Sequence, residues 1–166
     1  MWVKNYMFTN VFTVSPNTSI SEAVKLMVEN KTNSIIVVNK NKNPVGTLSS
    51  YTLIKEIVPP YLKDDPIYSQ YGAEGTFEKY ANKIKNKKVR EIMHKDFHSL
   101  SEKDAIIEAA SYSIEAARRI LPVVNKKGEL IGAVTRTYLK NALYNVIFKK
   151  DKIDPTNGGC GCGRKH

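Results

Sequence analysis

The chain matches itself. Shifted by 86 positions, residues 3–54 align with residues 89–140 without an insertion, and 13 of the 52 aligned positions are identical. Identical pairs include Val3/Val89, Met7/Met93, Ile20/Ile106, Ala23/Ala109, Val37/Val123, Asn39/Asn125, Gly46/Gly132 and Leu53/Leu139. Chance similarity would scatter, but these pairs fall on turns, caps and apolar positions. Whatever one copy forms, the other must form as well. A unit this short buries too little surface to be comfortably stable, so the two copies are expected to pack together.

Each copy reads as strand, helix, strand, strand, helix. Val11-Phe12-Thr13-Val14 and Phe97-His98-Ser99-Leu100 are extended segments. Ser19-Ile20-Ser21-Glu22 then has capping-box spacing, in which the first hydroxyl and the Glu satisfy free N–H groups reciprocally. Ile20, Ala23, Val24, Met27 and Val28 recur at helical spacing; in the second copy Asp104 is the expected cap, and Ile106, Ala109, Ala110 and Ser113 form the stripe. Two apolar runs follow, Ile35–Val38 and Val45–Leu48, matched by Leu121–Val124 and Leu130–Val134. The polar stretches between them have hairpin composition. A last helix starts after Ser49 or Thr135.

This order resembles the CBS domain, which occurs as a tandem pair called a Bateman module. The family's signature stretch, Gly, two apolar residues, Thr or Ser, two variable residues and Asp, is similar to Gly46-Thr47-Leu48-Ser49-Ser50-Tyr51-Thr52 and Gly132-Ala133-Val134-Thr135-Arg136-Thr137-Tyr138. Leu121-Pro122-Val123-Val124-Asn125 matches a characteristic family strand, and Ile35-Ile36-Val37-Val38-Asn39 matches it except that Ile36 replaces the Pro. The resemblance implies an α/β (α+β) fold of two tandem β-α-β-β-α units packed with pseudo-twofold symmetry. It places one unit in residues 1–54, a connector with an amphipathic helix in 55–88, the second unit in 89–148 and a Gly/Cys tail in 149–166. It also implies a homodimer, and a module that regulates an unidentified protein rather than catalysing.

The resemblance further implies clefts that take an adenine nucleotide (AMP, ADP or ATP) or S-adenosylmethionine as effector, with no catalytic cofactor. Adenine contacts map to Thr13, Val14, Asn33, Ser34 and Ile35 in one copy, and to Ser99, Leu100, Ile120, Leu121 and Pro122 in the other. Ser49 and Thr135 sit where a strand feeds a helix N-terminus, where free N–H groups favour an anion; the same residues also serve as plain helix caps. Arg136, with Arg118 and Arg119 nearby, offers guanidinium forks to phosphate. The family's closing Asp grips ribose hydroxyls, and here that position holds Thr52 and Tyr138. A Thr lacks the two acceptor oxygens, and a Tyr fills the space or stacks on a base. A ligand-free scaffold working through protein contacts is therefore the alternative.

The rest of the chain narrows the partners. With 26 Lys+Arg against 16 Asp+Glu the formal charge is +10, but it is spread along the sequence, and 21 of the positives are Lys. Nucleic-acid readers lean on Arg forks, so nucleic acid is a minor expectation, and the run Lys83–Arg90 reads as a solvated face. Ile35–Val38 is the longest aliphatic run, far short of the roughly 20 residues that span a bilayer. With no secretory signal pattern at Met1–Tyr6, a cytoplasmic protein is expected. Phe77, Tyr80, Ala81 and Ile84 share one helical face of the connector. Cys160 and Cys162, with His166, make an incomplete metal set; a metal- or redox-responsive tail is the third reading, against a plain tail with reducible thiols. No catalytic constellation is present in the sequence.

Overall fold

The computed structural model describes residues 1–64, 75–114 and 119–149. The first copy forms β1 (Thr13–Val14), α1 (Ile20–Glu29), β2 (Ser34–Val38), β3 (Pro44–Ser49) and α2 (Ser50–Ile57). The connector contributes α3 (Pro60–Asp64) and α4 (Thr76–Ile84), followed by the short α5 (Val89–Ile92). The second copy repeats the order as β4 (Leu100–Ser101), α6 (Ile106–Ile114), β5 (Ile120–Val124), β6 (Leu130–Thr135) and α7 (Arg136–Ile147). The strands make two three-stranded sheets, β1-β2-β3 and β4-β5-β6. In each, the first pair is parallel and the second antiparallel. Val14 pairs with Val37 and Leu100 with Val123, the same register moved by the repeat offset. The irregularity after Val37 recurs after Val123.

Local chemistry explains the elements. Ser19 caps α1 in the expected box: its hydroxyl accepts from Glu22 N–H, and the Glu22 carboxylate accepts from Ser19 N–H at 3.0 Å. Hydrogen bonds from the Ser19 hydroxyl and then its N–H hold the Glu22 carboxyl below its usual value, with Lys88 adding attraction. A carboxyl lowered in this way stabilises the fold at neutral pH, and the contribution is lost as pH falls through its folded value. Asp104 acts differently from its expected capping role, accepting from Ser101 N–H at 2.7 Å to close the turn after β4. α2 ends at Ile57, where Pro59 and Pro60 follow. On α4, Ile84 is buried in the first core while Phe77 stays exposed.

Ile35, Ile36 and Val37 are all fully buried, as are Leu121, Pro122 and Val123. A strand shows such a continuous apolar run only when both its faces are covered. Here one face of each sheet meets its helices. The other meets its counterpart sheet, through a shared cluster of Ile36, Ile120 and Ala133 flanked by Phe8, Val11, Val38 and Leu130.

The segments that lead into the two copies are exchanged. Val3 lies in the second core with Leu100, Leu121, Val123 and Val134, whereas Val89 and Ile92 lie in the first core with Ile20, Ile35 and Leu48. Phe8 makes both backbone hydrogen bonds with Ala133 of β6, at 3.0 and 2.9 Å. His94 does the same with Thr47 of β3, at 3.0 and 2.8 Å. Each crossing runs over a glycine. A Cβ at Gly46 would lie 2.6 Å from the Met93 sulfur, and one at Gly132 would lie 2.8 Å from the Phe8 carbonyl oxygen. These glycines serve close approach of the protein to itself.

The two obstacles differ in stiffness, which generates a prediction. A thioether can swing aside, but a carbonyl fixed in a backbone bridge cannot. Gly132→Ala is expected to cost about 1–3 kcal/mol, the range for overpacking, and Gly46→Ala less. Urea denaturation of both variants checks the order; equal losses would contradict it.

Candidate functional site

The site positions converge where each hairpin returns to its helix. Ser34 and Ser49 are register partners, as are Ile120 and Thr135. Ser34 and Ile120, two of the predicted base contacts, are thereby brought to the same sheet ends as Ser49 and Thr135, whereas Val14 and Leu100 pair further along, with Val37 and Val123. Val14, Ile35, Leu100 and Leu121 bury their side chains in the two cores, and Ile120 and Pro122 are also buried. What these residues can offer a ligand is backbone, with their side chains fixing its position. Thr13 is exposed, and Ser34 and Ser99 are half-buried.

The two clefts are not chemically alike. At the first, Ser49 caps α2: its hydroxyl accepts from Thr52 N–H at 3.3 Å and lies 3.1 Å from the Thr52 hydroxyl. The Asn33 carbonyl accepts from Ser50 N–H at 3.0 Å. Arg119, which precedes β5 in the other copy, places its guanidinium carbon 5.6 Å from the ring centre of Tyr51, in the first turn of α2. That is cation–π range. The first cleft thus gathers two hydroxyls, a helix N-terminus and a guanidinium from both copies.

At the second cleft, Thr135 caps α7 without a side-chain cap bond. Tyr138 stacks on Phe8, with ring centres 4.8 Å apart and planes inclined by 18°. The stack exists because the exchanged lead segment carries Phe8 onto β6, and sequence reasoning missed it. The repeat offset pairs Phe8 with His94 and Tyr138 with Thr52, so the crossed arrangement was the only signal available. Arg136 directs its fork back into the fold: Nε and Nη2 donate to the Ser113 carbonyl at 2.9 and 2.6 Å. This satisfies a carbonyl near the end of α6, where a cation also complements the helix dipole.

His98 stacks on Tyr112 at 3.7 Å between ring centres, as a packing histidine. Arg118, Cys160, Cys162 and His166 lie outside the described residues. Among the described residues no cluster of His, Cys, Asp and Glu suits a metal ion, and no helix is long and apolar enough to cross a membrane. Among the described residues, the side-chain amide of Asn145, buried in α7, has no hydrogen-bond partner.

The CBS domain profile matches residues 3–59 and again residues 89–145. The chain belongs to the CBS domain family. Among its relatives is the chloroplastic CBS domain-containing protein CBSX1 of Arabidopsis thaliana, 28% identical over 145 residues, a match spanning 84% of this chain and 61% of that protein. A CBS domain-containing protein of Dictyostelium discoideum is 28% identical over 87% of this chain and 92% of its own length. The crystal structure of the CBS-pair protein CBSX2 from Arabidopsis thaliana superimposes with a TM-score of 0.72 at 26% identity, covering 90% of this chain and 98% of that one. CBSX2 in complex with AMP superimposes with a TM-score of 0.66 at the same identity, over 88% and 98% of the two chains. This protein is a CBS pair of the same architecture, with two three-stranded sheets related by the repeat.

The tie from Arg136 to α6 has a measurable consequence. Arg136→Met removes two charge-assisted bonds from the carbonyl of buried Ser113. The expected loss is about 1 kcal/mol of stability without ligand, read by chemical denaturation. No change would show that the Ser113 contact is exchanged for water at no cost.

Proposed function

We propose that this CBS pair is a regulatory module that binds an adenine nucleotide such as AMP in its first cleft and relays the binding as a shift between two conformations. The carrying observation is Arg119, which reaches from the second copy onto the first turn of α2, beside Ser49 and Thr52. A phosphate there meets the positive end of the helix dipole, hydroxyls and a cation at once. Thr13, Val14, Asn33, Ser34 and Ile35 take the base, mostly through backbone, and Thr52 makes a single ribose contact where the family has Asp. The AMP complex of CBSX2 supports this choice of ligand class. Because the cation and the helix come from different copies, ligand tightens their junction, and differential affinity for the tightened state drives the shift.

A calorimetry and thermal-shift panel with AMP, ADP, ATP, NAD and S-adenosylmethionine tests the reading. At 100-fold over its dissociation constant a ligand should add about 2.7 kcal/mol of stability. Arg119→Ala should weaken nucleotide binding about tenfold or more, the worth of a charge-assisted contact. No response to any of the five at millimolar concentration would refute it.

The second cleft carries a different reading. Phe8 and Tyr138 fill it, and Arg136 is turned away, so Ser99, Leu100, Ile120, Leu121, Pro122 and Thr135 frame a structural junction. One ligand per chain is the expected stoichiometry. Two would contradict the closed second cleft, as would nucleotide affinity gained there by Tyr138→Asp.

The module acts as a homodimer in this proposal. Val28 on α1, Ile54 on α2, Ile107 and Ile114 on α6 and Ile147 on α7 are each more than half exposed. A groove of about 320 Å³ between α1 and α2 is lined by Val24, Met27, Val28 and Leu53 together with Lys31, Thr32, Asn33 and Ser50. Apolar helix faces of this kind mark association surfaces. Sedimentation should give a dimer, and Val28→Lys with Ile107→Lys should give a monomer; a monomeric wild-type chain would end the idea.

A further inference from the structure

One end of the first sheet is cationic, and the fold does not require it. Because β1 runs parallel to β2, Ser15 and Pro16 emerge beside Val38, where the hairpin turn Asn39–Asn43 begins. The segment leading into α5 lies along this same end. Arg90 N–H donates to the Pro16 carbonyl at 3.0 Å, Val89 N–H to Thr18 at 2.8 Å, and Ile20 N–H to Lys87 at 2.9 Å. Lys85, Lys87, Lys88 and Arg90 are all exposed there. Lys40 and Lys42 occupy the adjoining hairpin turn and are exposed as well.

The second copy extends the surface. Its hairpin turn touches the first: Leu130 N–H donates to the Lys42 carbonyl at 2.9 Å, and Asn43 reaches the Lys127 carbonyl at 3.5 Å. This brings exposed Lys126 and Lys127 beside Lys40 and Lys42. The acids of the region are used locally. Glu22 accepts from Ser19, Glu91 from Lys88 N–H, and Glu129 from the Asn125 side-chain amide. Among the described residues none of these lysines is in an ion pair, Lys25–Glu29 being the pair that is found.

The repeat shows that packing does not impose this charge. Packing needs the apolar Val89 and its counterpart Val3, both fully buried. The flanking exposed positions are free, yet Lys87 and Lys88 correspond to Met1 and Trp2 in the other copy. The eight basic side chains outnumber the nearby Glu22, Glu91 and Glu129, of which Glu22 attracts Lys88, and the excess of like charge carries a cost that an anionic partner would relieve.

We infer that this end, formed by the Lys85–Arg90 segment and the two abutting hairpin turns, is a docking surface for an acidic segment of a partner protein. Flexible lysines suit dispersed carboxylates. The surface carries a single Arg for bidentate phosphate recognition, and its strips hold no aromatic side chain for base stacking. Nor do they present the apolar side chains that a membrane interface would take up. The surface lies at the sheet end opposite Ser34 and Ser49, so the docking proposal does not rest on nucleotide binding.

Fluorescence anisotropy of a labelled glutamate-rich peptide on the full chain tests this, with single-stranded RNA and phosphatidylserine vesicles as competing probes. The peptide should bind at 50 mM salt and weaken about tenfold or more by 300 mM, since exposed charges are screened. Lys42→Glu with Lys88→Glu and Lys127→Glu should abolish binding. Lys55→Glu with Lys95→Glu and Lys140→Glu, equal in net charge, should change it less than about twofold. Matching thermal melts establish that both variants fold. Equal losses in the two variants, absence of peptide binding at low salt, or tighter binding of RNA or vesicles would each overturn the proposal.

Discussion

The interlock of the two lead segments is the constraint on which the rest depends. Val3 completes the second core and Val89 completes the first, so neither core closes without chain from the other copy. The crossings need Gly46 and Gly132, because the segment carrying Met93 and the segment carrying Phe8 pass too close for a Cβ. An interface made by exchange is harder to loosen than one made by two finished surfaces. Separating the copies would expose core side chains as well as the shared cluster of Ile36, Ile120 and Ala133. This is how two units, each too small to be comfortable alone, make one stable body.

The same crossing makes the clefts unequal. Equivalent backbone positions deliver Phe8 to one junction, where it meets Tyr138, and His94 to the other, where it bridges Thr47. A stacked aromatic pair lies at the second junction. In the first, a hydroxyl pair and Arg119 leave a polar, cationic mouth. A duplicated fold can therefore offer different chemistry at its two equivalent junctions, with differences at very few positions. The cationic end obeys the same logic. Exposed positions beside a buried valine tolerate Met and Trp in one copy and lysines in the other, because only the valine is needed for packing.

Much was legible in the sequence, and for identifiable reasons. The element order, the Ser19–Glu22 box and the stop after Ile57 rest on interactions between residues close in the chain, so composition and spacing reveal them. The buried strands were legible as continuous apolar runs. Asp104 was misassigned because a carboxylate three residues after Ser101 satisfies the preceding turn as readily as the following helix. Arg136 was expected to face phosphate, yet the sequence holds no sign that the Ser113 carbonyl lies within reach of its fork.

What the sequence alone determined is the unit and its duplication: 52 aligned positions, an offset of 86, and cap, strand and turn residues that repeat with it. Local hydrogen bonding and hydrophobic periodicity act over a few residues and survive in any arrangement of the copies. Tertiary structure alone decided which lead segment completes which core, that Tyr138 stacks on Phe8, that Arg119 reaches the other copy's helix, and that both hairpin turns meet at one charged end. Those contacts join residues tens of positions apart or more. They follow from how two identical topologies pack, which no local pattern encodes.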